Sequence, residues 1–364
     1  MLAAAGAGAL AITAVAAVAP GGPAARAISF NAPSITVADG NSVIALQTSE
    51  NALRFYWNEH GTNTWHGEQL TGPDTTFSQP SIAQIGNTVY IAIEGANNTL
   101  SLFWQTNGAS TWNSEFVAAA RTTFSAPTLA QDGNATVISA EGPSNSLDFY
   151  WAVTGTTSYT REVVAGAGTT FSAPAETVNG NSVNIAAQGP SNSLDFYWAA
   201  NGSSTWGPEV VAGAGTTTSA PAIVANGGGV NIVALNGNSL GSVFYWALNG
   251  TQAWHPSTMP GGDTSASSIV TYPGNPGGVH VVARELFGVL AVQSDVNGSG
   301  TWQYTAVCSG GPVSAGCAAT APSVTMNGGL VNIAVEDPNG NLDFWWQDSS
   351  GAFHEELVDT ASNL

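Results

Sequence analysis

Two aromatic series and two acidic ones recur along the chain, and they are the side chains with the chemistry to hold a ligand. The first aromatic series stands at Trp57, Trp104, Trp151, Trp198, Trp246 and Trp346, closing runs such as F-Y-W; the second follows a turn at Trp65, Trp112, Tyr159, Trp206, Trp254, Trp302 and Phe353. Three residues beyond the second series come Glu68, Glu115, Glu162, Glu209 and Glu356, and a separate column holds Gln47, Glu94, Glu141, Gln188 and Glu336. A pyranose has an apolar face that stacks on an aromatic ring and hydroxyls that hydrogen-bond to acids or amides. Repeating weak sites of this kind around one molecule gives avidity. The candidate ligand-binding residues are therefore Trp65, Glu68, Trp112, Glu115, Tyr159, Glu162, Trp206, Glu209 and Trp254. Structural roles compete with this reading. The first tryptophan series is expected to fill the space between repeated units, and the carboxylates can accept hydrogen bonds from neighbouring loops.

The spacing predicts the elements that carry these residues. A period of about 47 residues is the length of one four-stranded blade of a β-propeller. The prolines of the S-A-P segments, Pro33, Pro80, Pro127, Pro174, Pro221 and Pro322, keep the same frame as the tryptophans. Both series skip one degenerate copy, from about residue 263 to 310, in which Ser268 is expected at the proline position and Val292 near that of the tryptophan. Seven copies follow. Within one copy, Val183 to Ala187 and Leu194 to Trp198 alternate as strands, and Gly180-Asn181, Gly189-Pro190-Ser191-Asn192 and Asn201-Gly202 mark turns. The expected fold is all-β, a single seven-bladed β-propeller over residues 28–364 with four antiparallel strands per blade.

Composition narrows the partners. Only 8% of residues are charged, lysine is absent, and the formal net charge is −19. Such a surface repels phosphate backbones and anionic membrane faces, so neither nucleic acid nor an acidic lipid surface is an expected partner. Neutral and cationic ligands remain open. No cofactor is expected, and a structural calcium is the weaker option because the turns lack a dense D-x-D-x-D pattern.

Residues 1–27 read as a signal peptide: Leu2 to Ala19 is uninterrupted and apolar, Pro20 and Pro23 break it, and Ala25-Arg26-Ala27 offers a cleavage pattern. An uncleaved anchor is the alternative, since about 18 apolar residues reach the lower limit for a membrane span. The first reading makes the protein secreted and extracellular. Cys308 and Cys317, the only cysteines, then form a disulfide in the loop joining the sixth and seventh copies. With no histidine pair nearby, they do not make a zinc site.

The pattern N-S-L-D-F-Y-W followed by N-G-x-x-T-W-x-x-E resembles secreted bacterial seven-bladed propellers with tryptophan-bearing repeats. It is similar in plan to the tectonin and Photorhabdus-type propeller lectins. That resemblance covers about nine-tenths of the chain and implies repeated sites for fucose-like or methylated sugars between neighbouring blades. A non-catalytic protein-interaction or envelope-surface scaffold is the alternative. The turn Asn201 to Trp206 also resembles the Asp-box of sialidases, but those enzymes need three converging arginines. Here Arg54, Arg121, Arg161 and Arg284 lie in different columns. No nucleophile elbow or ordered Ser-His-Asp set appears either, and an enzyme is not expected.

Overall fold

The computed structural model describes residues 32–59, 63–106, 109, 111–226, 228–237, 241–272, 278–295, 300–308 and 316–364. Residues 1–27, read above as a signal peptide, lie outside the described residues. Within them the chain forms seven antiparallel sheets, each made of four consecutive strands, as expected for seven blades. Blade 4 shows why. Its strands are Ala175–Asn179, Ser182–Gln188, Leu194–Ala200 and Gly207–Ala212. The second strand is covered on both faces, so Val183, Asn184, Ile185, Ala186 and Ala187 are all buried. Along the third, Leu194, Phe196 and Trp198 share one face and Asp195 and Tyr197 the other, because strand side chains alternate.

Turns fix the frame. Gly180 reaches the first hairpin with φ 59°, and Asn192 adopts φ 62° in the turn between the second and third strands; asparagine tolerates this left-handed region better than most residues. The Asn192 carbonyl then accepts from the amides of Thr216 (3.0 Å) and Thr217 (2.9 Å), pinning the link to blade 5. Gln188 reaches the Asn192 side chain and the Thr217 carbonyl, while Glu94 and Glu141 accept from Asn98 and Asn145. This column is structural.

The core lies between blades. Phe196 and Leu194 of blade 4 pack on Ile223, Ile232 and Tyr245 of blade 5, and a comparable cluster occupies each of the other six interfaces. The innermost strand presents one apolar side chain to its neighbour at Ile35, Ile82, Leu129, Ile223, Ile269 and Val324, but blade 4 places Glu176 there. The Ser139 hydroxyl of blade 3 donates to one Glu176 oxygen, and the other oxygen has no partner. Burial pushes this carboxyl up to about 8.

Among the described residues, blade 7 closes on blade 1 with no exchanged strand. Asn332 donates to Ser42 (2.8 Å), the Ile35 amide to Ser323 (3.1 Å) and the Tyr56 hydroxyl to Asp359 (3.0 Å). Arg54 stands 3.4 Å from the same Asp359. The chain then crosses onto blade 1, where the Leu364 carbonyl receives the Ser49 amide at 2.8 Å.

Two expectations for the sixth copy are corrected by strand pairing. Ser268 bonds the Val324 amide as Ser323 bonds that of Ile35, and both serines start their strands; the proline position is therefore Ser267. Ser294 pairs with His280 as Trp198 pairs with Asn184. It is Ser294 that replaces the tryptophan, and Val292 replaces the phenylalanine two residues before. Cys308 and Cys317 form the disulfide and pack on the cluster between blades 6 and 7. Replacing Cys308 with serine should lower stability by about 2–3 kcal/mol, the chain-entropy value for so short a loop. Thermal melts of wild type and variant, with and without reductant, check this; a reductant-insensitive wild type would contradict it. No described helix is long and apolar enough to cross a membrane.

Candidate functional site: the clefts between blades

In five of the seven copies the second-series aromatic and a glutamate stand three residues apart and so face opposite sides of the outer strand. Trp206 of blade 4 turns toward blade 3 and meets Phe149 edge to face at 5.1 Å; Glu209 turns toward blade 5. Each candidate pair drawn from a single copy is thereby divided between two clefts. The partners come from neighbouring blades: Trp112 donates its indole N–H to Glu68 (2.7 Å), Trp206 to Glu162 (3.3 Å), Trp254 to Glu209 (3.1 Å) and Trp65 to Glu356 (3.1 Å). Between blades 2 and 3 the partners are Glu115 and Tyr159; burial holds both above their ordinary proton affinities, with Glu115 adding to the effect on Tyr159. Between blades 5 and 6 the acid is lost and Trp302 donates to Ser257. The second series is half-buried, wedged between blades.

The first series is where the structure departs from expectation. Trp151 and Trp198, expected to fill space between blades, are 36% and 42% exposed. The residue directly across the outer strand explains this. Trp198 pairs with Gly207, and a Cβ added at Gly207 would stand 2.7 Å from the indole, so the ring lies flat over the glycine backbone. From there its N–H reaches Glu209 at 3.0 Å, and Trp151, paired with Thr160, reaches Glu162 at 3.0 Å. Blades 1, 5 and 7 carry histidine at this position. His66, His255 and His354 stack on Trp57, Trp246 and Trp346 with centroids 5.5, 4.3 and 4.5 Å apart. An imidazole there occupies the ground that Trp151 and Trp198 cover.

Two clefts consequently combine an exposed indole with a carboxylate held from both sides. In each, one Glu oxygen accepts from the exposed indole and the other from the wedged one. The cleft between blades 4 and 5 encloses about 640 Å³ and is lined by Asn179, Asn181, Asn184, Trp198, Glu209 and Trp254 among others. That between blades 3 and 4 encloses about 380 Å³ around Asp132, Asn134, Trp151, Glu162, Asn201 and Trp206. Both open on the face bearing the turns between first and second strands. A smaller space of about 350 Å³ beside Trp57 and Glu68 marks the interface of blades 1 and 2.

No family model and no curated protein matches this sequence. Solved structures do. A lectin from Burkholderia pseudomallei superposes with TM-score 0.78 at 17% identity, covering 91% of this chain and 100% of that one. The chain shares the fold of a lectin propeller. AofleA from Arthrobotrys oligospora matches with TM-score 0.55 at 14% identity, over 78% of this chain and 88% of its own. A fungal lectin of Aleuria aurantia, described as a six-bladed propeller with a fucose recognition mode, matches with TM-score 0.54 at 15% identity, over 77% and 96%.

The candidate residues missing from the sequence-based set are Trp151, Trp198 and Glu356. The signal for the first two was present: Gly207 and Thr160 interrupt a column that is histidine in three other blades. Among the described residues no three His, Cys, Asp or Glu side chains converge as a metal site.

Proposed function

We propose that this propeller is a secreted, non-catalytic carbohydrate-binding protein whose sites are the clefts between blades. The observation that carries the proposal is Trp198, flat on Gly207 with its outer face in solvent and its N–H tied to Glu209, beside a cavity lined by asparagines. A sugar ring stacks on the indole while its hydroxyls meet the carboxylate and the amides. The likeness to lectin propellers, one of them solved with α-methyl fucoside, agrees with this use of the fold. Binding without bond cleavage also fits the cleft between blades 4 and 5: a glycosidase flanks the scissile bond with two carboxylates, and Glu209 is the single acid lining this cleft. The apolar leader and the disulfide support export.

The test is a glycan array, followed by titration calorimetry with methyl α-L-fucoside and the best array ligand. Gly207→His is the discriminating variant, because it imposes on blade 4 the arrangement of blades 1, 5 and 7. It should weaken the cleft between blades 4 and 5 by about tenfold or more, a loss of about 1.4 kcal/mol, while the melting temperature stays close to wild type. Unchanged affinity and stoichiometry in the folded variant would remove this cleft from the proposal. Silence across the array would favour a protein-binding scaffold instead.

A further inference from the structure

The two open clefts hold negative charge that no cation answers. Glu209 lines one, and Asp132 with Glu162 the other; Asp132 Oδ1 is buried with no hydrogen-bond partner. Among the described residues every arginine is engaged or placed elsewhere. Arg54 pairs with Asp359 and Arg161 with Asp148, Arg284 donates to the Ala318 carbonyl, and Arg121 sits exposed on the link between blades 2 and 3. Lysine is absent from the chain.

The local chemistry is that of a cation site. An indole face attracts a cation through its quadrupole, and Trp198 and Trp151 each present one beside a carboxylate. Both carboxylate oxygens are fixed by indole N–H groups, so the acid is held in place while each oxygen keeps a lone pair for a further donor. The surrounding asparagines recognise hydroxyls and add no positive charge to repel the ligand. A formal charge of −19 on the whole chain draws cations toward these clefts and repels acidic glycans.

We infer that the clefts between blades 3 and 4 and between blades 4 and 5 select glycans carrying free, protonated amino groups, such as glucosamine residues, over their N-acetylated and neutral counterparts. The inference rests on the carbohydrate-binding reading above and names the sugar class for the same site.

Calorimetric titration of glucosamine oligomers and N-acetylglucosamine oligomers of equal length provides the test, with methyl α-L-fucoside as neutral control and spermine as a cation that is not a sugar. The glucosamine oligomer should bind at least about tenfold tighter than the acetylated one, and added salt should shrink that advantage. A Glu162→Gln, Glu209→Gln double variant should lose the preference. Trp198→Ala, which removes an exposed ring, should weaken the glucosamine oligomer without altering the melt. Equal or tighter binding of acetylated or neutral sugars overturns the inference and leaves the carbohydrate reading standing. A preference that survives in the double variant, or is matched by spermine, reduces the effect to overall charge and also overturns it. Failure of these ligands while another sugar binds on the array overturns the inference alone, and silence on the array as well sinks both.

Discussion

Truncating Trp206 to alanine is expected to lower the stability of the ring by about 3 kcal/mol, within the range for large aromatic truncations. Its ring fills the interface between blades 3 and 4 against Phe149, and its N–H satisfies one oxygen of Glu162. The variant loses the packing and the bond together, and the interface cannot collapse because the flanking strands are hydrogen-bonded within separate sheets. Trp198→Ala is the contrast. That ring is 42% exposed, and its removal should stay within about 0.5 kcal/mol, as for most surface changes. Denaturant unfolding of both variants checks the pair. Equal losses would mean that Trp206 is no wedge, or that Trp198 is not a surface residue.

The second large effect is a pH dependence seated at Glu176. In the folded ring its carboxyl is raised by burial from 4.5 to about 8. A raised carboxyl favours the protonated form in the fold, so the stabilising balance is complete below about pH 4.5. It is lost as pH climbs through 8, where the unfolded chain ionises freely and the folded one must bury a charge. Stability should therefore fall between pH 4.5 and 8. Glu176→Leu, which places in blade 4 the residue blade 3 has at Leu129, should remove the share of that slope due to Glu176, leaving that of Asp343, whose carboxyl burial also raises to about 8. It should stabilise the protein by about 4–5 kcal/mol at pH 9, the gap from 4.5 to 8 at about 1.36 kcal/mol per unit. At pH 4 the gain should vanish, because the Ser139 hydroxyl then loses a neutral partner. Melting temperatures of both proteins across this range are decisive, and parallel curves would exclude Glu176 as the origin.

The blade count and strand order were legible because each copy states its own turns: Gly180, Asn192 and Gly202 recur where the backbone must take positive φ. The site was legible only in part. Counting residues places Trp206 and Glu209 in one column set, but a three-residue step on a strand sends them into different clefts, and only the neighbouring blade supplies each partner. Exposure was read the wrong way round for Trp198 because the deciding residue, Gly207, belongs to the opposite strand. In the sixth copy the missing landmarks, proline and tryptophan, left the frame to be counted across altered loops. Pairing of Ser294 with His280 sets it instead.

The closure of blade 7 on blade 1 has a bearing on how copies of this protein behave toward one another. The Asn332 to Ser42 bond joins residues 290 positions apart, so it forms only when the two ends of the ring are brought together. Until then each chain carries a free blade 7 face that matches the blade 1 face of any other chain, a head-to-tail pairing that can extend without limit. What keeps it within one molecule is proximity: the two faces of one chain meet at a far higher effective concentration than faces of separate chains. Weakening the clasp around Asp359, which holds both Tyr56 and Arg54, would therefore show itself first as concentration-dependent oligomers of opened rings.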